Sequence, residues 1–315
     1  MRGGISWQIM QVFERSCIFE AGESKHLAKE EARAGGASTW HDVGKSIGIY
    51  SFQTAETYLD TWHQLARFCK AEGLRDIEKI TPEHVRLYLE SKIDKGVAYA
   101  TYQKEASALQ KFEQALNRFS KSDKYHFADT IKEAGKIAKA ELQRNDVSRL
   151  YANPKKLVSI VTDPKYKLSA QMQLEGGCRI AEIGALKTSH LGGLTKDKIS
   201  GETKGIIKLD NCKGGKDRDV SVSMAAYERL QDHMAANSGK FTIRGEENKY
   251  RSVLKDASEK SGQSYQGSHG LRWSFAHARH SECMSAANMS YEQALSQVSH
   301  EMGHERSDIT CHYLR

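Results

Sequence analysis

Proline is nearly absent from this chain: 315 residues contain 3, Pro82, Pro154 and Pro164. A proline in a helix interior removes a backbone donor and clashes with the preceding turn, so its scarcity leaves long helices uninterrupted and a mainly helical fold is expected. No apolar run approaches the roughly 20 residues that a membrane-spanning helix needs. Met1-Arg2-Gly3-Gly4 leads into a mixed polar segment without targeting character. The 6 cysteines, Cys17, Cys69, Cys178, Cys212, Cys283 and Cys311, are scattered with no Cys-x-x-Cys pair, the usage expected of a reducing cytoplasm. No phosphate-cradling glycine loop is present, which argues against a nucleotide cofactor. His277, His280, His300 and His312 have no Asp or Cys cluster at zinc-ligand spacing beside them, so no metal site is expected.

Positive charge, by contrast, is in excess. Lys+Arg 47 against Asp+Glu 40 gives a formal charge of +7 and a pI near 8.9, a balance that favours a polyanionic partner. The length allows two domains, each with its own core.

Residues 1–50 read as an N-terminal segment without an assignable role, with helices around Trp7 to Phe19 and Glu23 to Ala32 before the Gly35-Gly36 break. From Ser51 the pattern sharpens. Tyr58, Trp62, Leu65 and Cys69 fall on one helical face that ends at Gly73, and Thr81-Pro82-Glu83 reads as N-cap, N1 proline and first-turn acid of a helix carrying Val85, Tyr88 and Leu89. Ala106, Leu109, Phe112, Leu116 and Phe119 mark a third helix, and the basic stretch from Lys132 to Arg144 a fourth. Residues 51–145 are thus expected to form a helical bundle domain. The polar stretch Arg144 to Lys156 reads as a linker, and residues 146–315 as a second domain. In that domain Gly205 to Leu209 and Arg218 to Val222 look like two strands turning over Lys213-Gly214-Gly215-Lys216. Tyr291 to Met302 is a helix lined by Leu295, Val298 and Met302 and ended by Gly303.

Three separated stretches carry chemistry: Gly177-Cys178-Arg179-Ile180-Ala181-Glu182, His269-Gly270-Leu271-Arg272, and the run from Gly303-His304 to Tyr313. Taken singly each has an ordinary reading: a helix-start arginine paired with Glu182, a solvent-facing helical His/Arg pair, a late tyrosine in a core. Together they supply what metal-free phosphodiester cleavage requires, namely a nucleophile, cations for the non-bridging oxygens and groups that move protons. Arginine suits the cationic task because its planar fork donates bidentate bonds to phosphate and keeps its charge.

In that order the motifs resemble the active site of the tyrosine recombinases, the phage integrase family. The resemblance implies a mainly α fold with a small β-sheet: a helical core-binding (SAM-like) domain followed by a mixed α/β catalytic domain. It implies a site-specific DNA recombinase, an integrase of a mobile element, that clamps double-stranded DNA between its domains and cleaves through a 3′-phosphotyrosyl link. Arg179 and Arg272 would clamp the phosphate, His304 add a hydrogen bond, His269 accept the phenol proton or orient the phosphate, and Tyr313 attack. The leaving 5′ oxygen would take its proton from Lys213, the first lysine of a run similar to the family's Lys-Gly-x-Lys-x-Arg hairpin, with Lys216 as competitor. No ATP or Mg²⁺ is implied. Self-association on DNA as a tetrameric synapse, a possible accessory DNA-bending protein, no membrane partner, and a cytoplasmic, nucleoid-associated location follow from the same resemblance.

Three features depart from the family pattern. Residues 1–50 show no strand triplet of an arm-binding domain, and the stretches from Arg179 to the lysine hairpin and from Arg272 to His304 are long, which suggests loop or helix extensions. The sequence stops at Arg315, whereas family members usually continue into a tail that docks on a neighbouring subunit; a monomer off DNA is expected. A type IB topoisomerase and a non-catalytic DNA-binding protein on the same fold are the alternatives.

Overall fold

The computed structural model describes residues 1–315 apart from Arg2, 145–146, 213–215 and 305–306 and the side chains of Trp40 and His41. It divides into two compact units, Met1–Asp146 and Val147–Arg315.

The described residues of the first unit form seven α-helices, α1 (Ile5–Arg15), α2 (Lys25–Ala34), α3 (Trp40–Ser46), α4 (Phe52–Ala71), α5 (Pro82–Asp94), α6 (Tyr99–Ser120) and α7 (Ala128–Glu141), and one β-bridge, Phe19 with Ile49. Its core is built on Trp62, Leu65, Leu109, Phe112 and Leu116, all fully buried. The Trp62 indole, too large to bury with its N–H unpaired, donates to the Ala108 carbonyl at 2.7 Å across α4 and α6. Residues of the first fifty share this core, since Ile5, Ile9, Val12, Ile18 and Ile49 are buried in it.

The second unit is mixed. Helices α8 (Pro154–Ile160) and α9 (Pro164–Glu175) lead into β1 (Ala185–Lys187), β2 (Leu191–Lys196), β3 (Thr203–Cys212) and β4 (Lys216–Ser223). Then come α10 (Met224–Ala236), β5 (Lys240–Thr242), α11 (Glu247–Lys260), α12 (His269–Ala286), α13 (Tyr291–Glu301) and α14 (Ser307–Tyr313). β2, β3 and β4 form an antiparallel sheet in that order, and β1 pairs with β5. The two expected strands are therefore present, paired and longer than expected; the turn over 213–215 lies outside the described residues. The stretch after Arg179, expected to be a loop or helix extension, instead holds β1 and the edge strand β2. Its exposed, glycine-containing Leu191-Gly192-Gly193-Leu194 has no clean alternation to announce a strand. The stretch after Arg272 is a helix extension, the 18 residues of α12 followed by α13.

The three prolines each open a helix, α5, α8 and α9, one residue after Thr81, Asn153 and Asp163, whose side chains accept from first-turn amides. A proline at that position gives up an N–H that has no intrahelical partner and brings the right φ. Scarce proline thus punctuates the fold without interrupting it.

Candidate active site

The site is assembled on α12. His269 opens the helix and Arg272, three residues on, faces inward with no exposed surface. A buried guanidinium needs acceptors, and the ends of two other helices provide them. The Arg272 Nη1 donates to the Gly177 carbonyl just beyond α9, and Nη2 donates to the Met302 carbonyl at the end of α13 at 2.7 Å and to His304 Nε2 at 2.9 Å. Helix C-termini carry partial negative charge, so among the described residues the cation is held by backbone carbonyls and an imidazole with no carboxylate beside them. Burial, then the charge of Arg179, pushes the Arg272 pKa down to about 10, which leaves it a cation at neutral pH.

Gly177 makes this possible. Its φ is +59°, and a Cβ there would lie 2.5 Å from the Phe275 ring, so only glycine turns its carbonyl toward the guanidinium. Gly303, at φ +66°, similarly ends α13 and carries the chain over Arg218 into His304.

Arg179 is not on a helix. It lies in the turn between α9 and β1, where its amide and its Nη1 both donate to Glu182, at 2.7 and 2.5 Å. Glu182 also receives Arg218 Nη2 at 2.6 Å. Burial alone would raise the Glu182 pKa, but the charges of Arg218 and Arg179 and their hydrogen bonds outweigh it and the carboxylate is held below its usual range.

His304 has a definable tautomer. Arg272 can only donate, so Nε2 accepts and the proton sits on Nδ1, 3.1 Å from Thr310 Oγ1. Burial and the charges of Arg272, Arg179 and Arg218 push its pKa down to about 3, so the ring is neutral. In this arrangement His304 orients Arg272; a bond donated to phosphate would require a proton on Nε2.

Tyr313 ends α14 and is 7% exposed. Its hydroxyl lies 2.9 Å from His269 Nε2. Its ring sits among those of His269, Trp273 and His304 at 5.4, 5.3 and 5.1 Å, with the Arg272 guanidinium 5.8 Å from its centroid. The structure thus brings His269, Arg272, His304 and Tyr313 into direct contact and places the Arg179 charge where Arg272 and His304 both feel it. Lys213 lies outside the described residues, and Lys216 begins β4 opposite Cys212. His280 and His312 pack against Tyr291 and Trp273, at 4.7 and 5.1 Å between rings.

Arg218 and Thr310 were not singled out from the sequence. Arg218 had a signal: on β4 it shares a face with Val220 and Val222, and an arginine on the inward side of a strand implies a buried partner. Thr310, buried on a short helix, had none.

A family model, Phage integrase family, matches residues 140–315, more than half of the chain. The chain belongs to the phage integrase family. A second model, the phage integrase N-terminal SAM-like domain, matches residues 48–140. The family is the one the motifs led to, and the mainly helical fold with small sheets is the one expected of it. A curated relative, the tyrosine recombinase XerC of Bacillus pumilus (strain SAFR-032), is 25% identical over 203 residues, 63% of this chain and 61% of that protein; the match thus spans about three fifths of the relative's length. Among solved structures, XerH site-specific recombinase bound to difH substrate matches with a TM-score of 0.62 at 14% identity, covering 99% of this chain and 92% of that one. The Tn1549 transposon integrase in complex with a circular intermediate DNA matches with a TM-score of 0.56 at 13% identity, covering 92% and 94%. At such identities these structural likenesses speak to the phage integrase fold alone.

Proposed function

We propose that this protein is a site-specific DNA recombinase that cleaves and rejoins double-stranded DNA through a 3′-phosphotyrosyl intermediate. The observation that carries the reading is the 2.9 Å contact between the Tyr313 hydroxyl and His269 Nε2, beside the Arg272–His304 pair. A phenol titrates near 10, so it needs a base and a positive surround to attack at neutral pH. His269 takes the phenol proton as Tyr313 Oη attacks phosphorus. The P–O5′ bond breaks, and the leaving oxygen takes a proton from a hairpin lysine, Lys213 or its competitor Lys216. Arg179 and Arg272 face the charge that develops on the non-bridging oxygens, the role in which preorganised donors contribute most. In the DNA-free arrangement Arg272 commits Nη1 to Gly177 and Nη2 to Met302 and His304, while its Nε–H has no acceptor among the described residues, so a donor remains for a phosphate oxygen. Rejoining is the reverse, with a 5′ hydroxyl attacking the phosphotyrosine.

Duplex DNA fits the net charge of +7 and the relatives' partners. Pairing of protomers on adjacent half-sites follows from strand exchange between two duplexes, which requires two active sites brought together; a tetrameric synapse, an accessory bending protein and a place at the nucleoid belong to the same reading. No helix among the described residues is long and apolar enough to cross a membrane.

A nicked suicide duplex tests the chemistry. Wild-type protein is expected to accumulate a covalent adduct in excess EDTA, and Tyr313→Phe none, with duplex affinity near wild type. Adduct formed by the Phe variant would refute the nucleophile. Relaxation of a supercoiled plasmid without exchange between two target sites would assign the chemistry to a topoisomerase-like reaction.

A further inference from the structure

Arg218 is a nearly buried cation of the second unit that the cleavage chemistry leaves without a task, although it bonds to both Glu182 and Gly177. Its side chain is 9% exposed, and each terminal nitrogen reaches a different part of the site. Nη2 donates to Glu182 at 2.6 Å and to the Gly177 carbonyl at 3.4 Å, and Nη1 donates to the Glu301 carbonyl. The other oxygen of Glu182 holds Arg179 at 2.5 Å. Glu301 stands two residues before Gly303, and a Cβ on Gly303 would lie 3.0 Å from Arg218 Cδ, so the stem of Arg218 lies directly beneath the turn that presents His304. From the opposite side the Glu301 carboxylate is gripped by Arg279 at 2.8 Å, which also grips Asp197 at 2.7 Å.

Buried ion pairs seldom add net stability over apolar packing of the same shape, because two charges must be desolvated. They do fix geometry, since the fork of an arginine specifies direction as well as distance. Here the fork joins the turn of Arg179, through Glu182, to the chain just beyond α9 and to the end of α13.

We propose that Arg218 is a positioning residue for phosphodiester cleavage, orienting Arg179 through Glu182 and fixing the His304 turn through the Glu301 carbonyl. The inference rests on the recombinase reading above. It predicts that losing Arg218 impairs the chemical step while leaving duplex binding intact, since only 9% of its side chain is exposed to a phosphate backbone.

The test is a double-mutant cycle on the full chain, comparing wild type, Arg218→Met, Arg179→Ala and the double variant. Single-turnover adduct formation is followed at saturating suicide duplex, and duplex affinity by anisotropy. Arg218→Met is expected to slow adduct formation by about 10²-fold, the scale of a small misplacement of reacting groups, with affinity within about 3-fold of wild type. If Arg218 acts through Arg179 and its neighbours, the two losses are sub-additive, the double variant retaining at least about 10-fold more activity than their product. Losses that multiply, or a slower rate matched by weaker binding, would overturn the positioning role. Should Arg218→Met fail to give a cooperative melt, Arg218→Lys decides. It keeps a cation beside Glu182 but cannot reach all three acceptors, so slowed cleavage at unchanged affinity supports the proposal and wild-type cleavage overturns it. A wild-type protein that forms no adduct overturns the recombinase reading, and this inference with it.

Discussion

Replacing Gly177 by alanine perturbs the site through the backbone, and its cost can be worked from two independent contributions. The residue has φ +59°, and placing an L side chain in the left-handed region costs about 1–2 kcal/mol. The new Cβ would lie 2.5, 2.8 and 3.1 Å from three atoms of the Phe275 ring, which is itself buried at 6% exposure and cannot swing into solvent; overpacking of this kind costs about 1–3 kcal/mol. Together the loss is about 2–5 kcal/mol, or roughly 4–20 °C in the unfolding midpoint for a unit of this size. Urea unfolding measures it as a lower midpoint at unchanged slope. Phe275→Leu in the Gly177→Ala background should recover the steric part and leave the backbone part, so the double variant should be more stable than the two single losses added together. A loss below about 1 kcal/mol, or strict additivity with Phe275→Leu, would refute the argument that this turn requires glycine. Cleavage should fall as well, because the Gly177 carbonyl that holds Arg272 and Arg218 is displaced.

Two further outcomes are expected. His304, held down to about 3 by burial and by the charges of Arg272, Arg179 and Arg218, has an ordinary unfolded pKa near 6.5. Between those values the unfolded chain binds the extra proton, so stability falls as pH drops through that window. His304→Gln keeps a hydrogen-bonding side chain and removes the titration, so urea midpoints at pH 7 and pH 4.5 should differ less than in wild type; equal differences would exclude the effect. For the general acid, Lys213→Ala should regain cleavage on a 5′-bridging phosphorothiolate duplex, whose sulfur leaves without a proton, and Lys216→Ala should gain nothing; the opposite pattern would assign the role to Lys216.

The helical first unit was legible because its signals are local: Tyr58, Trp62, Leu65 and Cys69 on one face, and the cap and proline at Thr81-Pro82. The four contacting site residues were legible from ordered motifs. What the sequence hid was the set of partners. The acceptors of Arg272 are backbone carbonyls of Gly177 and Met302, and a carbonyl has no residue letter of its own. The edge strand β2 was hidden for a different reason: its exposed residues carry no burial alternation, and its pairing with β3 breaks register between Leu191 and Leu194. Taken singly, an i, i+3 Arg–Glu pair such as Arg179 and Glu182 suits a helix start, yet here the same spacing closes a non-helical turn.

Helix α12 carries His269 and Arg272 at its start and, seven positions after Arg272, Arg279, which holds α13 and the β2–β3 connection. Seven residues are close to two turns at about 3.6 residues per turn, so the two arginines share a face. The helix is therefore a ruler with fixed marks. A single inserted or deleted codon between them would rotate everything beyond by about 100° and carry Arg279 away from both carboxylates, whereas the same change in residues 287–290, between α12 and α13, leaves the marks in place. In-frame length changes should consequently be tolerated at that connection and selected against between the two arginines, and a library of one-residue insertions scored for recombination would show loss of activity at 273–278 and retained activity at 287–290.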